Sequence, residues 1–255
     1  MALSLRQSEI LELARSEGRV VVEELAQRFN VALQTIRRDL SDLADAGHVD
    51  RIHGGAIART GVANLGYAQR RRMNESAKAA IGRACAAAIP DNSSIILNLG
   101  TTTEAVAREL LGHRNITIVT NNMNVANILL ANPGCDIMVA GGALRRSDGG
   151  LVGELTAGFF QQFKVDYAVI GASALDPDGD LLDFDLAEVR VSRAIIGQAR
   201  QTFLVCDASK FGRSAPVLLG SLSELDALFT DRPLAGTLAR LCSEWGTAVH
   251  VAEAE

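Results

Sequence analysis

The chain has 255 residues, 48% of them hydrophobic, and a formal charge of −5. That is enough apolar material for two ordinary domains or one large one, and the charge excludes a protein that holds nucleic acid by bulk attraction. No apolar run reaches the roughly 18 residues of a membrane span, and the start MALSLRQSEI lacks the apolar core of a secretion signal. The four cysteines and four histidines lack paired metal-ligand spacing, so a cytoplasmic protein with no metal and no other cofactor is expected. The charge is unevenly divided. Residues 1–72 hold 11 basic and 9 acidic side chains and the remainder 14 and 21, so the basic part is amino-terminal.

Ser4 and Gln7 make a capping box ahead of a helix in which Leu5, Ile10, Leu13 and Ala14 recur at helical spacing, with Gly18 as its stop. A short helix over 23–29 turns Leu25, Ala26 and Phe29 inward, and Asn30 can take the left-handed turn into the next helix. That next helix opens with QTIRRDL at 34–40. Gln34, Thr35, Arg37 and Arg38 project from its first two turns, where a major-groove reader places base-edge and phosphate contacts. A solvated helix face would carry similar charges, but the preceding helices and tight turn favour a helix-turn-helix. Gly47 then releases the chain into HVDRIHGGAI. There Val49 and Ile52 anchor a hairpin that carries Arg51 and His53 towards a DNA backbone, completing a winged helix-turn-helix over residues 1–57. Residues 58–74 read as a linker, whose Arg70, Arg71 and Arg72 either touch phosphates or decorate a hinge.

From 75 to 255 the pattern alternates helices with short apolar strands. A helix over 75–88 leads to a strand at 94–99 and a helix to about 111, and further strands fall near 118, 136, 167, 202, 227 and 248. Val-, Ile- and Leu-rich strands between helices imply an α/β domain with a mainly parallel sheet covered on both faces. SIILNL runs into Gly100, Thr101, Thr102 and Thr103 at a helix start, where amides, hydroxyls and the positive helix end can converge on an anion. A plain capped turn would use the same residues. Later strands end in Asn121 and Asn122, in Gly141 and Gly142, in Gly171 to Ser173, and in Cys206 to Lys210. Ligands of open parallel sheets bind beyond such ends, so a small phosphorylated polyol is expected. Lys210 would be its point charge, or else a surface lysine capping a turn.

QTIRRDLSDLADAG, RIHGGA, GTTTEAVA, TNNMNVAN, AGGALRRSDGGLVGE, DFDLAEVRVSRAII and DASKFGR together closely resemble the DeoR family of bacterial transcription regulators, nearest to its glycerol 3-phosphate-responsive members. The resemblance runs from about Ser4 to Asp231. It implies a carboxyl-terminal domain similar to sugar-phosphate isomerases. It also implies a homo-oligomeric repressor, dimer or tetramer, of glycerol and glycerol 3-phosphate genes, released from operator DNA by glycerol 3-phosphate or another sugar phosphate.

Carried over by position, Gln34, Thr35, Arg37, Arg38, Arg51 and His53 would meet DNA. Gly100, Thr101, Thr102, Thr103, Asn121, Asn122, Gly141, Gly142 and Lys210 would form the effector pocket, with Asp183, Asp185 and Glu188 accepting hydrogen bonds from hydroxyls. Three departures stand out: Val22 and Ala32 where capping Ser or Thr is usual in the family, and Asn98 where it has Asp. A sugar-phosphate enzyme is the rival reading. Asp176, Asp183, Asp185 and Glu188 could supply a base, but none has the spacing of an isomerase catalytic set, and no enzymatic activity is expected.

Overall fold

The apolar positions of the first three helices meet in a single core in a computed structural model of the chain, which describes residues 3–17, 19–52, 54–58 and 67–253. Two units are present, residues 1–63 and 64–255. The first runs α1 (Leu5–Glu17), β1 (Arg19–Val21), α2 (Val22–Phe29), α3 (Leu33–Asp45), β2 (Val49–Ile52) and β3 (Gly55–Ala58). The capping box of α1 is reciprocal: Gln7 N–H donates to Ser4 Oγ at 3.1 Å and Ser4 N–H to Gln7 Oε1 at 3.0 Å.

Ile10, Leu11 and Ala14 pack with Leu25, Ala26, Ile36, Leu40 and Leu43. Leu5, expected inward, is 86% exposed. It lies about 140° around the helix from Ile10, out of phase with the core stripe, and Leu11 takes its place. Asn30 adopts the left-handed conformation, φ 50 and ψ 50.

Ala32 is the N-cap of α3 and offers no side-chain acceptor, whereas Val22 is the first residue of α2 rather than its cap, which is Val21. The strand order is β1-β3-β2, all antiparallel. β1 has only three residues and no legible alternation. It can lie against β3 because a Cβ on Gly55 would stand 2.0 Å from Val20 O.

The second unit begins with α4 (Tyr67–Arg72), inside the span read as linker, followed by α5 (Glu75–Ala87), β4 (Ser94–Leu97), α6 (Thr101–Glu109), β5 (Ile116–Thr120), α7 (Met123–Leu129) and β6 (Cys135–Val139). A hairpin of β7 (Ala143–Arg145) and β8 (Gly150–Val152) precedes α8 (Glu154–Phe160), β9 (Val165–Ile170), β10 (Ala174–Leu175) and β11 (Asp180–Asp183). Then come α9 (Leu186–Ile196), β12 (Ala199–Val205), β13 (Val217–Ser221), β14 (Ala227–Thr230), α10 (Gly236–Trp245) and β15 (Ala248–Val251). Seven strands form one parallel sheet in the order β15-β14-β12-β9-β4-β5-β6.

Ile95 and Leu97 enter a core with α5, α6 and α7, while Ile96 enters another with α8, α9 and α10. Burial on both faces is what the continuous apolar strands imply. The order reverses between β4 and β9, so successive crossovers carry their helices to opposite faces on either side of that point. The hairpin β7–β8 and the small antiparallel sheet β10-β11-β13 were not legible beforehand, being short and of mixed polarity.

Gly55→Ala should force β1 away from β3 and destabilise the first unit by about 1–3 kcal/mol. Its thermal transition should fall while that of the second unit stays in place.

Candidate functional site

In the first unit side chains of α1 tie down α3. Arg6 Nε donates to the buried Asp39 at 2.6 Å, and Gln7 Nε2 donates to Asp42 at 3.1 Å. With Ile36, Leu40 and Leu43 buried, Gln34, Arg37 and Arg38 are left exposed and Thr35 half-buried. Among the described residues the Gln34, Arg37 and Arg38 side chains have no hydrogen bond or ion pair, so their donors are available to another molecule. Arg51 does not extend freely from the wing. Its Nη1 donates to Arg37 O and to Ser41 Oγ, both at 2.9 Å, tying β2 to α3. His53 lies outside the described residues.

In the second unit a pocket opens where the strand order reverses. Its walls are Leu99 to Thr103 beyond β4, Gly171 to Ser173 beyond β9 and Val205 to Asp207 with Lys210 beyond β12, together with Arg70, Asp183 and Glu188. Gly100 sits at φ 143, a region that favours glycine. The amides of Thr101, Thr102 and Thr103 follow it at the start of α6, where no intrahelical acceptor exists.

Thr103 Oγ1 lies 2.7 Å from Gly100 O and 2.9 Å from Asn98 O, which braces the turn. Asn98 itself is buried, its Nδ2 donating to Ser192 Oγ at 2.7 Å. Burial pushes Lys210 below the ordinary lysine value, against the pull of Asp207. Among the described residues its ammonium makes no hydrogen bond or ion pair.

Gly100 to Thr103, Asp183, Glu188 and Lys210 thus share one pocket. Asn121, Asn122, Gly141 and Gly142 do not line it and instead support the β7–β8 hairpin. Asn121 Nδ2 donates to Leu151 O at 3.0 Å, and Asn122 Oδ1 caps α7 through Asn124 N–H at 2.9 Å. Thr156 Oγ1 donates to Gly141 O at 2.8 Å, and Gly142 at φ 141 leaves room for that hydroxyl. These residues follow β5 and β6, one and two strands away from the reversal, which is why they miss the pocket. Asp185 caps α9 through Ala187 N–H at 2.8 Å and sits beside the pocket wall.

Sequence reasoning missed the surrounding charges as pocket residues. Arg70, read as a DNA or hinge contact, lines the pocket, with Nη2 3.9 Å from Asp148 Oδ2. Its carbonyl accepts from Lys78 Nζ, which also donates to Met73 O at 2.6 Å. Burial lowers Lys78 to about 8. Tyr67 OH donates to the Glu104 carboxylate at 2.9 Å, and burial, reinforced by Glu104, raises the phenol to about 12. Asn124 Nδ2 spans Tyr67 OH at 2.9 Å, Glu104 Oε1 at 3.0 Å and Asp148 O at 2.9 Å. Glu188 is pushed up to about 7, first by burial and then by Asp183. No spacing rule could have found Arg70, since it arrives from a separate element.

Among the described residues no group of His, Cys, Asp or Glu could hold a metal ion, and no helix is long and apolar enough to cross a membrane. A winged helix-turn-helix on the same chain as an α/β unit with a polar, cation-bearing pocket defines a ligand-sensing transcription regulator. The DeoR-like helix-turn-helix domain matches residues 6–61 and the DeoR C terminal sensor domain residues 73–232. The glycerol-3-phosphate regulon repressor of Escherichia coli (strain K12) is 46% identical over 91% of this chain and 92% of its own length. The repressor of the same name from Haemophilus influenzae is 46% identical over 90% of each chain. The transcriptional repressor CsqR of Escherichia coli is 40% identical over 92% of this chain and 91% of its own. The chain belongs to the DeoR family of transcription regulators, and it is a regulator rather than an enzyme. Ribose 5-phosphate isomerase of Methanocaldococcus jannaschii overlays 54% of this chain and 55% of its own with TM-score 0.41 and 14% identity, a likeness too slight to build on.

Lys210→Met keeps the aliphatic stem and removes the point charge. Millimolar inorganic phosphate should raise the thermal midpoint of the second unit in the wild-type chain and leave that of the variant unmoved. Equal stabilisation of both would take Lys210 out of the anion site.

Proposed function

We propose that this regulator represses genes of glycerol and glycerol 3-phosphate use, and that it leaves its operators when glycerol 3-phosphate fills the pocket at the strand reversal. The observation that carries the reading is the grouping of the unpaired Lys210, the free amides of Thr101 to Thr103, and the carboxylates of Asp183 and Glu188 around one cavity. A phosphate dianion finds a point charge and a helix start at one side, and hydroxyl groups find acceptors at the other. The names of the relatives that are 46% identical support the same ligand. The polar pocket alone suits other small sugar phosphates too.

On this reading Gln34, Thr35, Arg37 and Arg38 enter the operator's major groove, with Arg51 and His53 on the wing beside it. Two or more copies, as a dimer or tetramer in the cytoplasm, match repeated half-sites. A winged domain at 1–57, a connecting span at 58–74 and a sensor at 75–255 divide the labour. The ligand acts only through unequal affinity for the operator-competent and operator-incompetent states. Reversing a 99:1 preference takes about 5.5 kcal/mol.

Replacing Arg37 and Arg38 by Ala should weaken operator binding at least about tenfold, since one base-edge contact is worth roughly 1–3 kcal/mol. Calorimetric binding of glycerol 3-phosphate should persist in the same variant. Unchanged operator affinity, read by fluorescence anisotropy at one fixed salt concentration, would show that α3 does not read DNA.

A further inference from the structure

One side chain outside the pocket gathers three of the carboxylates around it. Arg145 ends β7, and its Nε and Nη2 donate to the two oxygens of Asp148 at 2.9 and 2.6 Å. Its Nη1 donates to Asp185 Oδ2 and its Nη2 to Glu188 Oε2, both at 2.6 Å. Asp148 belongs to the same hairpin, so the paired bonds fix the plane of the guanidinium. Asp185 and Glu188 belong to the start of α9, so the other two bonds fix that helix start to the hairpin. Of these three carboxylates only Glu188 also lines the pocket.

Glu188 is crowded from several directions. Asp183 of β11 raises its tendency to hold a proton, as does burial, whereas Arg145 and Arg70 of α4 oppose it. Asp148 of the hairpin and Asp185 at the start of its own helix are held by Arg145, and Lys210 beyond β12 lines the same pocket. While ionised, a carboxylate so placed accepts through both oxygens; once protonated, one oxygen becomes a donor and the other is a weaker, uncharged acceptor, so a hydroxyl that donates to it is held less tightly. Asp183 cannot take over in full, because its Oδ1 accepts from Phe184 N–H at 2.6 Å.

We infer that Arg145 is a positioning residue of the sensor pocket, holding the Glu188 carboxylate in place as the acceptor for a ligand hydroxyl without touching the ligand itself. The ligand's identity rests on the function proposed above, whereas the control of Glu188 by Arg145 does not. Arg145 therefore sets the pH range over which the pocket takes a polyol phosphate. Burial and Asp183 push Glu188 up to about 7 even with Arg145 in place, and losing that cation moves it further upward.

The test has two arms on the full-length chain, for the wild type and for Arg145→Gln, Arg145→Lys and Glu188→Gln. Without ligand, the carboxyl carbon of Glu188 is followed by NMR in glutamate-labelled protein from pH 5 to 9, with Glu188→Gln giving the assignment. Arg145→Gln should shift its midpoint up by about one unit or more, and Arg145→Lys should return part of that shift; an unmoved midpoint overturns the inference.

With glycerol 3-phosphate, wild-type affinity should rise as the pH climbs through 7, and for a one-unit upward shift Arg145→Gln should lose about threefold at pH 7.5, approach a roughly tenfold loss near pH 6, and recover most of it by pH 9. Loss by the same factor at every pH would mean a merely structural residue and would also overturn it. Any pH dependence left in Glu188→Gln belongs to the ligand's own phosphate. If the wild type takes up no glycerol 3-phosphate, the proposed effector fails while the first arm still decides the role of Arg145.

Discussion

The reversal of strand order between β4 and β9 is the constraint on which the sensor unit depends. Right-handed crossovers send α6 and α7 to one face and α9 and α10 to the other, so no connecting helix covers the ends of the two central strands. What remains there is backbone that cannot be buried unpaired: the start of α6, the turn after β9 and the turn after β12. Gly82 lets α5 approach α6 so closely that a Cβ would stand 2.9 Å from the Ala105 backbone, which holds the helix start rigidly over the gap.

Charge fills the rest of the gap. Lys210, Arg70 and Arg145 are set among Asp148, Asp183, Asp185, Glu188 and Asp207, and most of these make direct bonds to one another. Asp207 is held below the usual carboxylate range against burial, by Lys210 and by its hydrogen bonds with Ser209 and Asn74. A network of this kind is costly unless every member finds a partner. Lys210 feels the charge of Asp207, but among the described residues its ammonium makes no hydrogen bond, and an incoming anion would supply one.

The parts legible in the sequence were those with a period. Seven apolar runs announced the parallel strands, Leu25, Ala26 and Asn30 announced the short second helix and its turn, and SIILNLGTTT announced the turn at the pocket. What stayed hidden had no period to read. β1 is three residues long, Leu5 sits about 140° around the helix from Ile10, and the β7–β8 hairpin is short and of mixed polarity. Asn121, Asn122, Gly141 and Gly142 resemble pocket residues in type and in place after a strand. Only the strand order reveals that they serve the hairpin instead, because neighbours in sequence are not the neighbours of the gap. Arg145 was present in a quoted motif together with Asp148, but its other two partners, Asp185 and Glu188, lie at the start of an element about forty residues further on.

Linking sensor to operator is the central claim, and one titration tests it most directly. Labelled DNA from a glycerol-utilisation promoter would be followed by anisotropy with the wild-type chain at one fixed salt concentration, with and without glycerol 3-phosphate, and with ribose 5-phosphate as comparison. The account predicts tight binding that glycerol 3-phosphate releases at concentrations where ribose 5-phosphate does not. Operator binding that no concentration of glycerol 3-phosphate alters would contradict it.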